Sequence, residues 1–184
     1  MVSAPFIVVL DANVLFPFTL RDTLLRAAAL HFYQVRWTAQ ILEEMTRNLV
    51  STGTMSQDKA DRLRTVMERA FPEAEVTGHE SLIASMPNDE KDRHVLAAAV
   101  KAGAQVVTTA NLKDFTELPP GIEAQSPDEF LSNLFDLDPD GFVELLRDQA
   151  ADLDRPPVSF EELLTRLAKV VPETIGAVRA HPAG

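Results

Sequence analysis

Residues 6–10 read Phe-Ile-Val-Val-Leu, an unbroken apolar run rich in β-branched side chains that stops abruptly at Asp11-Ala12-Asn13. A strand with one wet face alternates apolar and polar residues. A continuous run of this length fits a strand buried on both faces, as in a parallel sheet covered by helices. That feature commits the chain to an α/β layer architecture, and the remaining segments are consistent with it. Residues 33–37 and 104–109 give further short strands, 73–77 a weaker one, and 121–124 a last one. Between them lie helical patterns over 19–31, over 39–49 with Thr38 as N-cap, over 56–70 closed by Pro72, and over 89–102 ending at Gly103, a C-terminal glycine stop. Asn88 or Asp89 is the expected cap of the last of these. Ser126-Pro127 opens another helix with a cap and an N1 proline. The βαβα rhythm predicts a three-layer α/β/α domain around a central parallel sheet, over residues 1–136.

The pattern changes after that point. Asp138-Pro139-Asp140-Gly141 reads as a turn cluster, followed by helices over 142–153, 159–171 and 173–180 with no strand signal. Ser159 and Glu162 stand at capping-box spacing. Residues 137–184 are therefore expected to form a C-terminal helical extension.

Composition removes several function classes. With 184 residues, 46% of them hydrophobic, the chain can bury a core. The absence of cysteine excludes disulfides, thiolate zinc sites, iron–sulfur clusters and cysteine nucleophiles. A formal net charge of −11 argues against a broad non-specific nucleic-acid coat. Residues 1–5 carry no leader signal, and no window approaches a membrane span, so a cytoplasmic, non-membrane protein is expected.

With 28 acidic residues, acids matter only by position. Asp11 follows the first buried strand and Asp114 lies shortly after the strand over 104–109, with Asn111 between. Ligands of open α/β sheets collect at the carboxyl ends of parallel strands. Glu44, beside the inward residues Ile41 and Met45, and Asp92, one turn past Asp89, can join from helices. Converging carboxylates repel one another unless a cation neutralises them or some are protonated. An oxygen donor set without Cys suits Mg²⁺ or Mn²⁺. Such ions polarise phosphoryl oxygens and acidify water, and two of them about 4 Å apart can clamp attacking and leaving oxygens.

The stretches Val9-Leu10-Asp11-Ala12-Asn13-Val14-Leu15, Ile41-Leu42-Glu43-Glu44, Asp89-Glu90-Lys91-Asp92-Arg93-His94-Val95-Leu96-Ala97-Ala98-Ala99 and Val107-Thr108-Thr109-Ala110-Asn111-Leu112-Lys113-Asp114-Phe115 occur in this order. In them the sequence resembles the PIN-domain nucleases, and among these the VapC-type toxins of toxin–antitoxin pairs. The resemblance implies metal-dependent hydrolysis of RNA phosphodiesters. Asp11, Glu44 and Asp92 match the first three metal-binding acids, Glu43 being the neighbour that competes with Glu44. Many relatives carry Asp where this chain has Asn111, so Asp114 is the expected fourth ligand, and the departure at Asn111 bears on a second metal. Thr109 matches a hydroxyl beside the metals, and Asn13 a polar residue behind the first acid. The same resemblance implies an antitoxin partner and a homodimer, and the helical extension is similar to the extra C-terminal domain of a subset of these toxins.

Each residue also has a plainer role open to it. Asp11, Asn111 and Asp114 are all suited to turns. An acid at position 92 complements a helix dipole, although Asp89 has the better claim to the cap. His94 reads as a packed or surface histidine. Arg21, Arg93 and Lys113 are candidate phosphate contacts or simply solvated, and Phe16, Phe18 and Phe115 line a groove or join the core. Two other functions compete with the nuclease. An aspartyl-nucleophile phosphatase of haloacid-dehalogenase type would use Asp11, but such enzymes normally carry a second Asp two residues on, where this chain has Asn13. A catalytically weak PIN-like module would only bind RNA or protein.

Overall fold

Val8, Val9 and Leu10 are fully buried, as the unbroken apolar run requires, and form the inner strand β1 (Ile7–Leu10). Burying each such side chain is worth about 1.5–3 kcal/mol. The structure, a computed structural model, describes residues 6–184; residues 1–5, read above as free of a leader signal, lie outside the described residues. β1 pairs in parallel with β2 (Gln34–Arg36) on one side and β3 (Val106–Thr108) on the other, and β3 pairs in parallel with β4 (Glu123–Gln125). The strand order is β2-β1-β3-β4. From β1 the chain leaves to β2 on one flank and returns to β3 on the opposite flank, so the order reverses between β1 and β3. A crevice at the carboxyl ends of these two strands is where open α/β sheets bind ligands.

The weak strand signal over 73–77 becomes a single parallel bridge, Trp37 to Glu75. Trp37 donates its N–H to Ala74 O and accepts from Val76 N–H, after which Gly78, at φ +76°, turns the chain away. The helices form where caps and periodicity place them. Thr38 Oγ1 accepts from Ile41 N–H at the start of α3 (Ala39–Ser51), and Gly103 ends α5 (Arg93–Ala102) at φ +66°, a left-handed conformation that glycine adopts without strain. α4 (Gln57–Ala70) packs on α3, and α5 packs on β1 and β3. One element escaped the periodicity. The four residues of α1 (Ala12–Leu15) wind into a helix directly after β1, followed by α2 (Phe18–Ala29).

In the C-terminal region α6 (Pro127–Leu137), α7 (Pro139–Asp152), α8 (Phe160–Ala168) and α9 (Pro172–Ala180) follow one another. The cluster at 138–141 is the first turn of α7 rather than a free turn. Asp138 Oδ1 accepts from Gly141 N–H at 3.0 Å, and Pro139 occupies a position where a helix needs no N–H donor. The Ser159–Glu162 capping box forms at both hydrogen bonds, 3.1 and 3.0 Å. These helices are fastened to the sheet domain by buried polar contacts as well as by Phe142, Leu145, Leu146, Leu163, Leu164 and Leu167. Thr23 Oγ1 donates to the fully buried Gln149 Oε1 at 2.8 Å, and Gln149 Nε2 donates to Thr19 O. Asp128 on α6 accepts from the backbone N–H groups of Glu173 and Thr174 and from Thr174 Oγ1, capping α9 from a different helix. Among the described residues no helix is long and apolar enough to cross a membrane.

Losing a cap of this kind costs about 1–2 kcal/mol. Asp128→Ala is therefore expected to lower unfolding stability by about that amount in urea titration, with α9 the first segment to lose amide protection in hydrogen exchange. Unchanged stability and unchanged protection of α9 would show that apolar packing alone holds the extension.

Candidate metal centre

Asp11 is held on three sides. As N-cap of α1, its Oδ1 accepts from Ala12 N–H at 2.7 Å, while Oδ2 accepts from Thr109 Oγ1 at 2.8 Å and from Asn13 Nδ2 at 3.2 Å. Asp11 N–H donates to Thr108 O, which draws the ends of β1 and β3 together. Asn13 Oδ1 accepts from Ala110 N–H, and Thr109 Oγ1 accepts from Asn111 N–H, so the same few residues fix the loop after β3. The carboxylate is almost wholly buried. Burial pushes its pKa up; the hydrogen bonds from Thr109 and Ala12 work against that rise, and the nearby charge of Glu44 adds to it. The plain turn reading of Asp11 is thus satisfied together with the site reading, because the cap fixes where the acid stands.

Glu44 is half-buried on α3, while Glu43 is exposed, so the helix turns Glu44 and not its neighbour toward the strand ends. Glu44 Oε1 lies 3.1 Å from His94 Nε2 and 3.4 Å from Gln40 Nε2. Desolvation raises the Glu44 pKa, but the contacts with His94 and Gln40 and the charge of Arg47 outweigh it, and the net shift is downward.

Asp92 ends the 3₁₀ turn Glu90–Asp92, which Asp89 caps through a hydrogen bond from Lys91 N–H to its Oδ1 at 3.2 Å. With Asp89 in the capping role, the Asp92 carboxylate forms no cap, and its Oδ2 is buried without a hydrogen-bond partner. It feels the charges of Asp11, Lys91 and Asp114. Burial, then Asp11, pushes Asp92 up to about 6. Asp114, in the 3₁₀ turn Leu112–Phe115, holds Lys91 Nζ at 3.1 Å, and that ammonium keeps its pKa low.

The four predicted acids therefore lie along one end of the sheet as a chain of neighbouring pairs. Asp11 is coupled to both Glu44 and Asp92, and Asp92 to Asp114. They converge to electrostatic range. Among the described residues no three His, Asp or Glu side chains form a ready-made metal cage. The donor chemistry nevertheless fits a hard divalent ion: all the donors are oxygens, Asp92 Oδ2 is buried without a partner, and the lysine at Asp114 shows that this edge attracts positive charge. Asn111 shapes the loop through its main chain, with its carbonyl accepting from Asp114 N–H, and its side chain does not cap the turn that follows.

Arg21 is buried and donates to the carbonyls of Leu15 and Phe16 at the end of α1, so it is not a free phosphate contact. Arg93 Nε donates to Asn88 O, Lys113 is exposed, and Phe115 is core while Phe18 is 53% exposed. His94, read as merely packed or on the surface, is buried and touches Glu44. Its spacing two residues after Asp92 was the available signal, but the contact crosses from α5 to α3.

The sequence model of the PIN domain matches residues 7–113, more than half of the chain. The chain belongs to the PIN-domain family. A model described as the VapC50 C-terminal domain matches residues 127–180 of this PIN protein, the region of α6 to α9. A relative from Mycobacterium tuberculosis (strain ATCC 25618 / H37Rv), which bears the name Putative ribonuclease VapC50, is 39% identical over 111 residues, 58% of this chain and 66% of that relative. The match thus spans a little under two thirds of the relative's length. No solved structure matches significantly.

The Asp92 shift sets a pH dependence. Because its folded pKa lies near 6 against an ordinary 3.8, the folded protein binds the extra proton more tightly than the unfolded chain. The stability this contributes is present at low pH and is lost as pH rises through about 6. Divalent metal competes with the same proton, so binding should strengthen over that window. Thermal melts of metal-free wild type and Asp92→Asn should diverge as pH rises from 3.8 to about 6, with wild type losing relative stability over that interval and the difference levelling off above it. Mn²⁺ should raise the wild-type midpoint more above that pH than below it. Parallel pH profiles for the two proteins would contradict this assignment.

Proposed function

We propose that this PIN protein is a Mg²⁺- or Mn²⁺-dependent endoribonuclease and the toxin of a toxin–antitoxin pair. The observation that carries the reading is the convergence of Asp11, Glu44, Asp92 and Asp114 at the point where the strand order reverses, on a chain whose relative is named as a ribonuclease. In this reading the four acids hold the cation. When bound, the ion polarises a phosphoryl oxygen and makes a nearby water more acidic. Asp11 is pre-set by Thr109, Ala12 and Asn13, so little reorganisation is needed there. Asp92, pushed up to about 6 in the metal-free protein, gives up that proton when it takes the cation. The acidic edge explains how a chain of net charge −11 engages a polyanion: the cation supplies the positive charge locally.

The toxin reading also brings a protein antitoxin that places a basic side chain among these acids, as Lys91 does on Asp114, and a homodimer. The aspartyl-phosphatase alternative is disfavoured by the surroundings of Asp11. Both of its oxygens already accept hydrogen bonds, and Asn13 is a donor to it rather than a second acid. The binding-only alternative draws on Asn111, which brings no carboxylate to the loop.

RNA cleavage followed on gels decides between these readings. Cleavage is expected with Mg²⁺ or Mn²⁺, with abolition by EDTA and at least about a hundredfold loss in Asp11→Asn. Cutting that survives EDTA, or full activity in Asp11→Asn, would refute the mechanism. A trapped covalent adduct on Asp11 would turn the assignment to the phosphatase.

A further inference from the structure

We infer that His94 is a positioning residue for Glu44: it fixes the carboxylate of the second metal-binding acid from beneath, and so sets the affinity of the centre for a divalent cation. The inference rests on the metal-nuclease reading and adds to it a residue that lies outside the four acids.

His94 is 4% exposed, and Glu44 Oε1 is 3.1 Å from its Nε2. The ring lies in the second position of α5, a helix packed on β1 and β3, whereas Glu44 projects from α3. The contact thus ties two helices together across the carboxyl end of the central strand. Among the described residues neither ring nitrogen completes a well-directed hydrogen bond. Burying an imidazole with its polar atoms unmatched is unfavourable, and an apolar side chain would fill the same space better. The polar group it touches is the carboxylate of Glu44, and its charge also bears on Asp11.

The electrostatics give the contact its purpose. Asp11 and Glu44 repel one another, and a long glutamate side chain beside a like charge is free to rotate toward solvent. Asp11 cannot move, because its cap and Thr109 hold it. Among the described residues the hydrogen-bonding groups beside the Glu44 carboxylate are His94 on one side and Gln40, at the longer distance of 3.4 Å, along its own helix, with the charge of Arg47 nearby. Engaging Oε1 with His94 restrains the rotation of the carboxylate and leaves its other oxygen for a ligand. Outer-shell partners of metal-binding carboxylates have this role in general, and losing one typically costs about 10–100-fold in metal affinity. The spacing is economical: two residues apart at the start of one helix, Asp92 supplies an acid and His94 steadies another.

The test is Mn²⁺ titration by calorimetry of wild type, His94→Phe, His94→Gln, Glu44→Gln and the double variant Glu44→Gln with His94→Phe, with thermal melts of each. His94→Phe keeps the ring volume and removes the donor, and should weaken Mn²⁺ binding by about 10–100-fold. His94→Gln retains an N–H donor and should lose less than about tenfold. In the Glu44→Gln background, His94→Phe should cause no further loss, because the group it positions has gone. Equal Mn²⁺ affinity in wild type and His94→Phe would overturn the inference while leaving the nuclease reading intact. A full additional loss in the Glu44→Gln background would also overturn it, making His94 a ligand or a general packing residue. If His94→Phe does not fold, the Gln variant decides alone, and a loss beyond about tenfold in it refutes the role. No Mn²⁺ binding by wild type at millimolar concentration would sink both this inference and the reading beneath it.

Discussion

The hydrogen bond from Thr109 to Asp11 joins the ends of the two middle strands, and the geometry of the site depends on it. Parallel pairing of Leu10 with Thr108 brings residues 11 and 109 side by side, and the short helix α1 then turns the Asp11 carboxylate inward as its own cap. Each of the other acids reaches this point from an element whose placement is set by the same sheet. α3 follows β2 and offers Glu44, α5 lies on β1 and β3 with Asp92 just before it, and the loop after β3 carries Asp114. Without the clamp, the first acid would be one more surface carboxylate among 28 acidic residues.

The acids meet without closing into a cage, which is what electrostatics requires of neighbouring carboxylates. Burial and mutual repulsion push Asp11 and Asp92 up, and cations close to hand, Lys91 at Asp114 and Arg47 near Glu44, offset the charge elsewhere. Part of the energy of folding is held here as unfavourable carboxylate proximity. A divalent ion relieves it, so metal binding and local stability are linked.

Much of this was legible in the sequence because it follows from local rules. The unbroken apolar run gave β1 and the parallel sheet; Thr38, Ser126, Ser159 and Gly103 act at the helix ends where their chemistry placed them. The choice of Glu44 over Glu43 followed from its neighbours on the helix, and it agrees with the half-buried and exposed states of the two. What was not legible depends on contacts between distant segments. Four residues are too few for periodicity to reveal α1, and Asp138-Pro139-Asp140-Gly141 has turn composition although Leu145 and Leu146 behind it draw it into a helix. Arg21 has the composition of a phosphate contact but folds under α1 to cap its carbonyls. The His94–Glu44 contact spans 50 positions between two helices, and neither sequence neighbourhood announces it.

Anomalous diffraction from a crystal soaked in Mn²⁺ should show a manganese peak bounded by the carboxylates of Asp11, Glu44, Asp92 and Asp114, with Lys91 displaced from Asp114. A well-ordered crystal with these side chains visible and no anomalous peak among them, or a peak bound only elsewhere, would contradict a metal centre there.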